Sequence, residues 1–144
     1  MPAPTNRFKQ RLQAGETLFG CWVSLANGPS AEILGTAGFD WLMIDGEHAP
    51  YDIRTIREQL IALEASPSDA MVRLPVGETW LVKQALDVGA QTILVPMVES
   101  AQQARDLVRA CTYPPHGNRG VGAAGTRASQ FSGIADYVTT ANDQ

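Results

Sequence analysis

The sequence has few of the residues and patterns that mark several large classes of protein. Its only cysteines, Cys21 and Cys111, favour two reduced thiols over a disulfide framework. No apolar run approaches the roughly 18 residues that span a bilayer, and the first ten residues contain no apolar signal core. Basic residues form no block, and the formal net charge is −4. These absences argue against nucleic acid or a membrane as partner and favour a cytoplasmic protein.

The composition is that of a packed domain, 44% hydrophobic and 18% charged, and strand and helix patterns alternate along the chain. The strand patterns fall at residues 18–25, 41–45, 70–74 and 92–98, and the helical patterns at 5–14, 30–37, 53–65, 79–88, 101–111 and 129–141. Strands that alternate with helices of about ten residues predict βαβ units and a parallel sheet.

Four such units are half of an eight-stranded barrel. A half barrel leaves a strand edge unpaired at each side, which isolated domains avoid. The polar residues 139–144 show no pattern that ends a domain. The sequence therefore leaves two interpretations open, a small open α/β sheet or a fragment of a (β/α)8 barrel.

The densest cluster of chemically competent side chains follows the second predicted strand. Its apolar run, residues 41–44, leads directly into Asp45, Glu47 and His48. In barrels of alternating strands and helices, catalytic groups lie at the C-terminal ends of the strands. Imidazole is suited to proton transfer near neutral pH, and the carboxylates could orient it or hold a metal ion through water. The alternative is a surface histidine in a polar loop.

Other charged residues allow both a functional and a structural interpretation. Arg73 lies in an apolar strand pattern, where an unpaired charge is costly. It could bind a carboxylate or enolate oxygen at the mouth of a barrel, or form a structural ion pair with a buried acid. Asp87 ends a predicted helix, where an acid opposes the helix dipole, but alone it is an ordinary helix-end acid. Glu99 either faces the mouth or begins the next helix.

The segment Gly120 to Gly125 has the G-x-G-x-x-G spacing of dinucleotide-binding loops. That spacing indicates a nucleotide site only directly after a strand, and here a turn containing Pro114 and Pro115 precedes it. We predict instead a flexible loop near the active site, with Arg119 and Arg127 as contacts for anions.

The segment Asp40-Trp41-Leu42-Met43-Ile44-Asp45-Gly46-Glu47-His48-Ala49-Pro50 resembles the signature of the pyruvate-dependent class II aldolases of the HpcH/HpaI family. The similarity continues in register through residues 72–73, 84–91, 94–98, 113–122 and 141–144. The resemblance implies a TIM barrel assembled into hexamers and reversible aldol cleavage of 4-hydroxy-2-oxo acids to pyruvate and an aldehyde. It also implies a divalent metal ion, Mg²⁺, Mn²⁺ or Co²⁺, that stabilises the pyruvate enolate.

The resemblance also assigns roles to individual residues. His48 would accept the proton through a metal-bound water, and Arg73 would hold and stabilise the enolate. Asp87 would raise the basicity of the histidine, from a neighbouring subunit. Trp22 would line the substrate pocket.

The metal ligands of the family, a Glu and an Asp, lie on strands beyond the fourth and would follow Gln144. Residues 1–144 should therefore supply no direct metal ligand, and Asp45 and Glu47 would support the ion only through bound water. We interpret residues 1–144 as the N-terminal half of a single barrel domain of a class II pyruvate aldolase. The segment alone should be inactive without the rest of the barrel, on the same or another chain.

Two rival interpretations come from other functional classes. A citrate-lyase-like carbon–carbon lyase would act on CoA thioesters and favour a basic patch for CoA, which the sequence does not show. A non-catalytic half barrel would serve as a binding or assembly module. The missing half of the barrel, as a second chain or as downstream sequence, would distinguish an aldolase from such a module.

Overall fold

The computed structural model describes residues 1–144, and in it four strands alternate with helices. The strands are β1 (Gly20–Val23), β2 (Trp41–Asp45), β3 (Asp69–Arg73) and β4 (Thr92–Leu94). The helices are α1 (Arg7–Gln13), α2 (Gly28–Gly35), α3 (Ile53–Ala62), α4 (Thr79–Asp87), α5 (Ala101–Cys111) and α6 (Tyr137–Thr140). All strand pairs are parallel, in the order β1-β2-β3-β4, so the predicted βαβ organisation is confirmed. None of the helices combines the length and apolar character needed to cross a membrane.

Polar side chains fix where four of the helices begin. Asn6, Asn27 and Asp52 accept hydrogen bonds from the first turns of α1, α2 and α3. At α5, Ser100 and Gln103 form a reciprocal capping box. Because Asn27 is the cap, α2 begins two residues earlier than the sequence pattern predicted.

The strand predicted at residues 92–98 is shorter in the structure and ends at Leu94. Pro96 has no N–H to donate to a neighbouring strand, and Met97 has a left-handed φ of 55°. The chain therefore turns away from the sheet directly after Leu94.

The helix predicted at residues 129–141 is wrong. Gln130, Phe131 and Ser132 have φ values of 53°, 54° and 74°, which no right-handed helix contains. The segment instead forms turns, and only α6 within it is α-helical.

The sheet has two different faces because successive strand residues point to opposite sides. One face packs against the helices in a core whose fully buried members include Val23, Leu42, Ile44 and Val72. The opposite face, which we call the open face, carries Trp22, Met43, Asp45, Met71 and Arg73. The outer strands β1 and β4 each pair on one side only.

Chain segments from both ends of the sequence cover the N-terminal end of the sheet. A second buried cluster there consists of Ala3, Tyr113, Ile134 and Tyr137. The amide of Ala3 donates to Thr140 Oγ1 at 2.8 Å, and Asn6 Nδ2 donates at 3.0 Å to the hydroxyl of Thr92, the first residue of β4. The C-terminal ends of the strands lie at the other end of the sheet and are available for chemistry.

Because β2 lies in the core, we expect that shortening one of its buried side chains destabilises the fold strongly. Leu42→Ala should lower the free energy of unfolding by about 2–5 kcal/mol, because the site is fully buried and leaves a cavity. Leu12→Ala, at a half-exposed position of α1, is the control and should change it by about 0.5 kcal/mol or less. Urea unfolding measures both. Equal losses in the two variants would contradict the assigned core.

Candidate active site

A tight turn after β2 carries Glu47 and His48 to the end of β3. The amide of Gly46 donates to the carbonyl oxygen of Arg73 at 2.9 Å. A Cβ atom on Gly46 would lie 2.5 Å from that same oxygen, so the close approach of the two strand ends requires glycine. The sequence Asp45-Gly46-Glu47-His48 thus places two acids and the imidazole beside the last residue of β3.

Asp45 and Arg73 form a two-pronged ion pair at the ends of neighbouring strands. They are register partners in the β2–β3 ladder, and Arg73 Nε and Nη2 donate to the two carboxylate oxygens at 2.9 and 2.7 Å. Oδ1 of Asp45 also accepts from the amides of Glu47 and His48 at 3.1 and 3.2 Å. The hydrogen bonds from Arg73 hold the pKa of Asp45 below its ordinary value, and Asp45 raises the pKa of Arg73.

Glu47 links the arginine to the histidine. One of its oxygens lies 3.0 Å from Arg73 Nη1, and the other lies 3.6 Å from His48 Nε2, which is too long for a hydrogen bond. The side chain of His48 is 71% exposed, whereas those of Glu47 and Arg73 are mostly buried. The structure therefore brings His48 and Arg73 to the same place, with the imidazole free to contact a molecule outside the fold.

Trp22 of β1 covers one side of the arginine. The guanidinium carbon of Arg73 lies 4.3 Å from the centre of the indole ring, a cation–π contact. Trp22 remains 43% exposed on the open face. It is therefore placed to be both a support for Arg73 and a wall of a pocket.

The hydrogen bonds of Arg73 leave part of the guanidinium free. Of its five N–H donors, two bond to Asp45, and Nη1 forms an ion pair with Glu47. The planar group is thus fixed in position without using all of its donors, and the remaining ones can serve a ligand. The two interpretations of Arg73 from the sequence, ion pair and ligand contact, are thus compatible in this geometry.

Asp87 lies at the other end of the sheet from His48. It is the last residue of α4, which runs back from the C-terminal end of β3 to the N-terminal end of β4. Its carboxylate accepts from Arg119 Nη2 at 3.1 Å. Within one chain, Asp87 therefore does not meet the other predicted catalytic residues, and a shared role would require a second subunit.

The glycine-rich segment is also at the N-terminal end of the sheet, so within one chain it does not lie beside Arg73 and His48. Arg119 is buried against Asp87, and Arg127 donates to Glu64 and to the carbonyl of Val88. Both arginines have protein partners and do not serve as surface contacts for anions. No local sequence pattern indicates these pairs, because their members are 32 to 63 residues apart.

The residues present do not form a direct seat for a metal ion. No group of three or more His, Cys, Asp or Glu side chains is arranged to hold one. Asp45 and Glu47, the acids nearest the predicted site, direct their oxygens at Arg73. Glu99 precedes the capping Ser100 of α5 and does not join them.

A cavity of about 500 Å³ does not coincide with this site. It lies at the N-terminal end of the sheet, where Leu60, Asp69, Gln91 and Arg127 line it. Its charged groups pair with one another, as Arg7 does with Asp69. We place the candidate active site at Arg73 because the chemically competent groups converge there.

The ion pair predicts a specific dependence of stability on pH. Asp45→Asn should destabilise the fold at neutral pH, and its difference from wild type should shrink below about pH 4. The pKa of Asp45 is lowered from an unfolded value of about 3.9, so its stabilisation is present above that value. It is lost as the pH falls through the lower, folded pKa. Urea unfolding at a series of pH values measures this, with Asp106→Asn as an exposed control, and a pH-independent difference would contradict it.

Comparison with known proteins identifies relatives for nearly the whole chain. The family model described as HpcH/HpaI aldolase/citrate lyase matches residues 18–142. The hydroxypyruvate/pyruvate aldolase of Roseobacter denitrificans is 65% identical over 144 residues, which are 100% of this chain and 56% of that protein. The 4-hydroxy-2-oxo-heptane-1,7-dioate aldolase of Salmonella arizonae is 53% identical over 138 residues, 96% of this chain and 52% of that protein.

A solved structure gives the same result. A HpcH/HpaI aldolase/citrate lyase family protein from Burkholderia cenocepacia matches with a TM-score of 0.93 and 46% identity, over 97% of this chain and 57% of that one. The chain thus spans about half the length of the relatives it matches, and its four parallel strands are a TIM-barrel half. The resemblance is confirmed: the chain belongs to the HpcH/HpaI aldolase/citrate lyase family.

Proposed function

We propose that this chain forms the part of a class II pyruvate aldolase that holds the substrate enolate and accepts its proton. The proposed reaction is reversible cleavage of a 4-hydroxy-2-oxo acid to pyruvate and an aldehyde. The observation that carries the proposal is the Arg73 site. A guanidinium fixed by two carboxylates and an exposed imidazole lie together at the C-terminal ends of β2 and β3.

In this proposal Arg73 stabilises the enolate oxygen. Negative charge develops on that oxygen during carbon–carbon cleavage, and donors that are already oriented stabilise it without reorganising. Asp45, Glu47 and Trp22 supply the orientation from three sides. The N–H groups of Arg73 that do not bond to Asp45 then make the contact with the substrate.

His48 is proposed to accept the proton. Its exposed imidazole can reach a substrate on the open face, and the Glu47 carboxylate lies 3.6 Å from its Nε2. Asp87 is proposed to raise the basicity of this histidine from a neighbouring subunit. That role requires assembly, and a homo-oligomer, proposed to be a hexamer, supplies it.

Charge at the site supports the proposed need for a divalent metal ion. Two carboxylates and one guanidinium give the cluster of Asp45, Glu47 and Arg73 a formal charge of −1. A 2-oxo acid is itself an anion, so this cluster alone repels it. A bound Mg²⁺, Mn²⁺ or Co²⁺ would supply the positive charge that stabilises an enolate. We propose that its ligands lie outside residues 1–144, since these residues hold no such group.

The open face supports a proposed partner in the rest of the barrel, on the same or another chain. Large apolar side chains are exposed there and at the adjoining loop: Trp22, Leu94, Met97 and Val98. The names of the curated relatives favour an aldolase over a lyase of CoA thioesters. A non-catalytic module would need the Asp45–Arg73 ion pair only for stability and would give no role to the exposed imidazole.

The histidine can be tested in the complete barrel. His48→Ala should lower kcat for pyruvate–aldehyde addition by roughly 10²- to 10⁴-fold, the usual contribution of a general base. The melting temperature should stay unchanged, because the side chain is largely exposed. His116→Ala, which removes the chain's other histidine from an exposed loop, is the matched control. Wild-type kcat in His48→Ala would refute the proposed proton acceptor.

Metal removal tests the second half of the proposal. The 144-residue chain alone should show no turnover with added Mn²⁺, because it offers no cluster of metal ligands. The complete enzyme should lose activity in EDTA and regain it with Mn²⁺. Turnover by the isolated chain would show that the metal site is misplaced. EDTA-resistant turnover by the complete enzyme would indicate a Schiff-base mechanism, with Lys83 the only lysine of this chain outside α1.

A further inference from the structure

Asp87 occupies a position that needs a compensating partner. It ends α4, where the negative end of the helix dipole disfavours a carboxylate. Arg119 supplies the compensation by donating from Nη2 to Oδ1 of Asp87 at 3.1 Å. The side chain of Arg119 is 4% exposed and that of Asp87 is 23% exposed. The arginine therefore lies beneath the acid, and the acid faces the surface.

Arg119 is itself held by aromatic rings. Its guanidinium carbon lies 4.5 Å from the ring centre of Tyr113 and 5.9 Å from that of Tyr137, and the two rings pack edge to face. We call Tyr113, Arg119 and Tyr137 the arginine bracket. The backbone of Tyr113 is fixed in turn by two hydrogen bonds with the side chain of Asn142. The bracket is thus assembled from two chain segments, the connection after α5 and α6.

A buried arginine with a single acidic partner is a costly way to gain stability. Burying the charge carries a desolvation penalty that the attraction does not reliably exceed, and Arg119 Nε has no hydrogen-bond partner. The arrangement does fix the orientation of the Asp87 carboxylate, because a planar guanidinium stacked on an aromatic ring can donate in few directions. It fixes Oδ1 of Asp87, while no group of the chain donates to Oδ2.

We propose that Arg119 is a positioning residue for catalysis, which holds the Asp87 carboxylate at the surface with Oδ2 free. The free oxygen then accepts a hydrogen bond from the His48 imidazole of a second copy of the chain. This inference rests on the proposed function, because the role of Asp87 does. Loss of the bracket should leave the acid in place but let its carboxylate rotate, so the chemical step is affected and pyruvate binding at Arg73 is not.

The test is a double-mutant cycle in the complete, metal-loaded enzyme, with Asp87→Asn, Arg119→Lys and the double variant. Arg119→Lys keeps the charge and removes the planar group that stacks on Tyr113. It should lower kcat roughly 10- to 100-fold, the cost of a small misplacement of a catalytic group. KM for pyruvate should change by about twofold or less. The double variant should be no slower than Asp87→Asn, because both changes act through one carboxylate.

Arg127→Lys is the matched control, since this arginine also pairs with an acid at the same end of the sheet. It should leave kcat unchanged. If Arg119→Lys does not fold, Arg119→Gln, which keeps a planar donor without the charge, is measured in its place with the same expectations.

The failures of the two proposals are distinguishable. A lower melting temperature with unchanged kcat in Arg119→Lys would make Arg119 purely structural and overturn the inference. Multiplicative losses in the double variant would show that Arg119 acts independently of Asp87, with the same consequence. Wild-type kcat in Asp87→Asn would instead remove Asp87 from the proposed function itself.

Discussion

The ion pair between Arg73 and Asp45 is the interaction on which the site depends. One carboxylate accepts both prongs of the arginine and the two amides of the turn that follows β2. The same group therefore fixes the end of β3 and the segment that carries Glu47 and His48. Because all four donors converge on Asp45, Arg73 and His48, the proposed enolate-binding group and proton acceptor, cannot be positioned independently. The need for glycine at residue 46 follows from the same closeness of the two strand ends.

The pairing of Arg73 with two acids also determines the charge of the site. A single arginine faced by two acids has its charge more than compensated, so the site is rigid but not attractive to an anion. In the proposed function, rigidity and positive charge come from different sources, the first from this half of the barrel and the second from the proposed divalent cation. The sheet is incomplete in a similar way. The strands β1 and β4 each have a neighbour on one side only, and the open face leaves large apolar side chains such as Trp22 and Leu94 exposed.

The sequence could predict features that depend on neighbouring residues, but not features that depend on residues far apart in the chain. The limits of β2 and α5 were predicted correctly because an apolar run ending in Asp45 and a capping box at Ser100 are local signals. The end of β4 was predicted wrongly because the apolar run was given more weight than Pro96, which opposes a strand. The turns after Ser129 were missed because left-handed residues such as Gln130 have no distinctive local pattern. The acids and the histidine were predicted as a cluster. The pair of Asp87 and Arg119 was not, because the fold alone brings them together.

The separation of His48 from Asp87 constrains how copies of the chain can assemble if both act in one reaction. Five residues of β3 span about 16 Å, and the two groups lie at opposite ends of that length. A subunit contact must therefore place the N-terminal end of one sheet beside the C-terminal end of another. A two-fold contact between antiparallel copies does this twice, since each subunit then offers its Asp87 to the His48 of the other. Such an interface completes both sites together. A separated subunit would then retain the Arg73–Asp45 ion pair but lack the Asp87 of a partner beside its His48, the proposed proton acceptor.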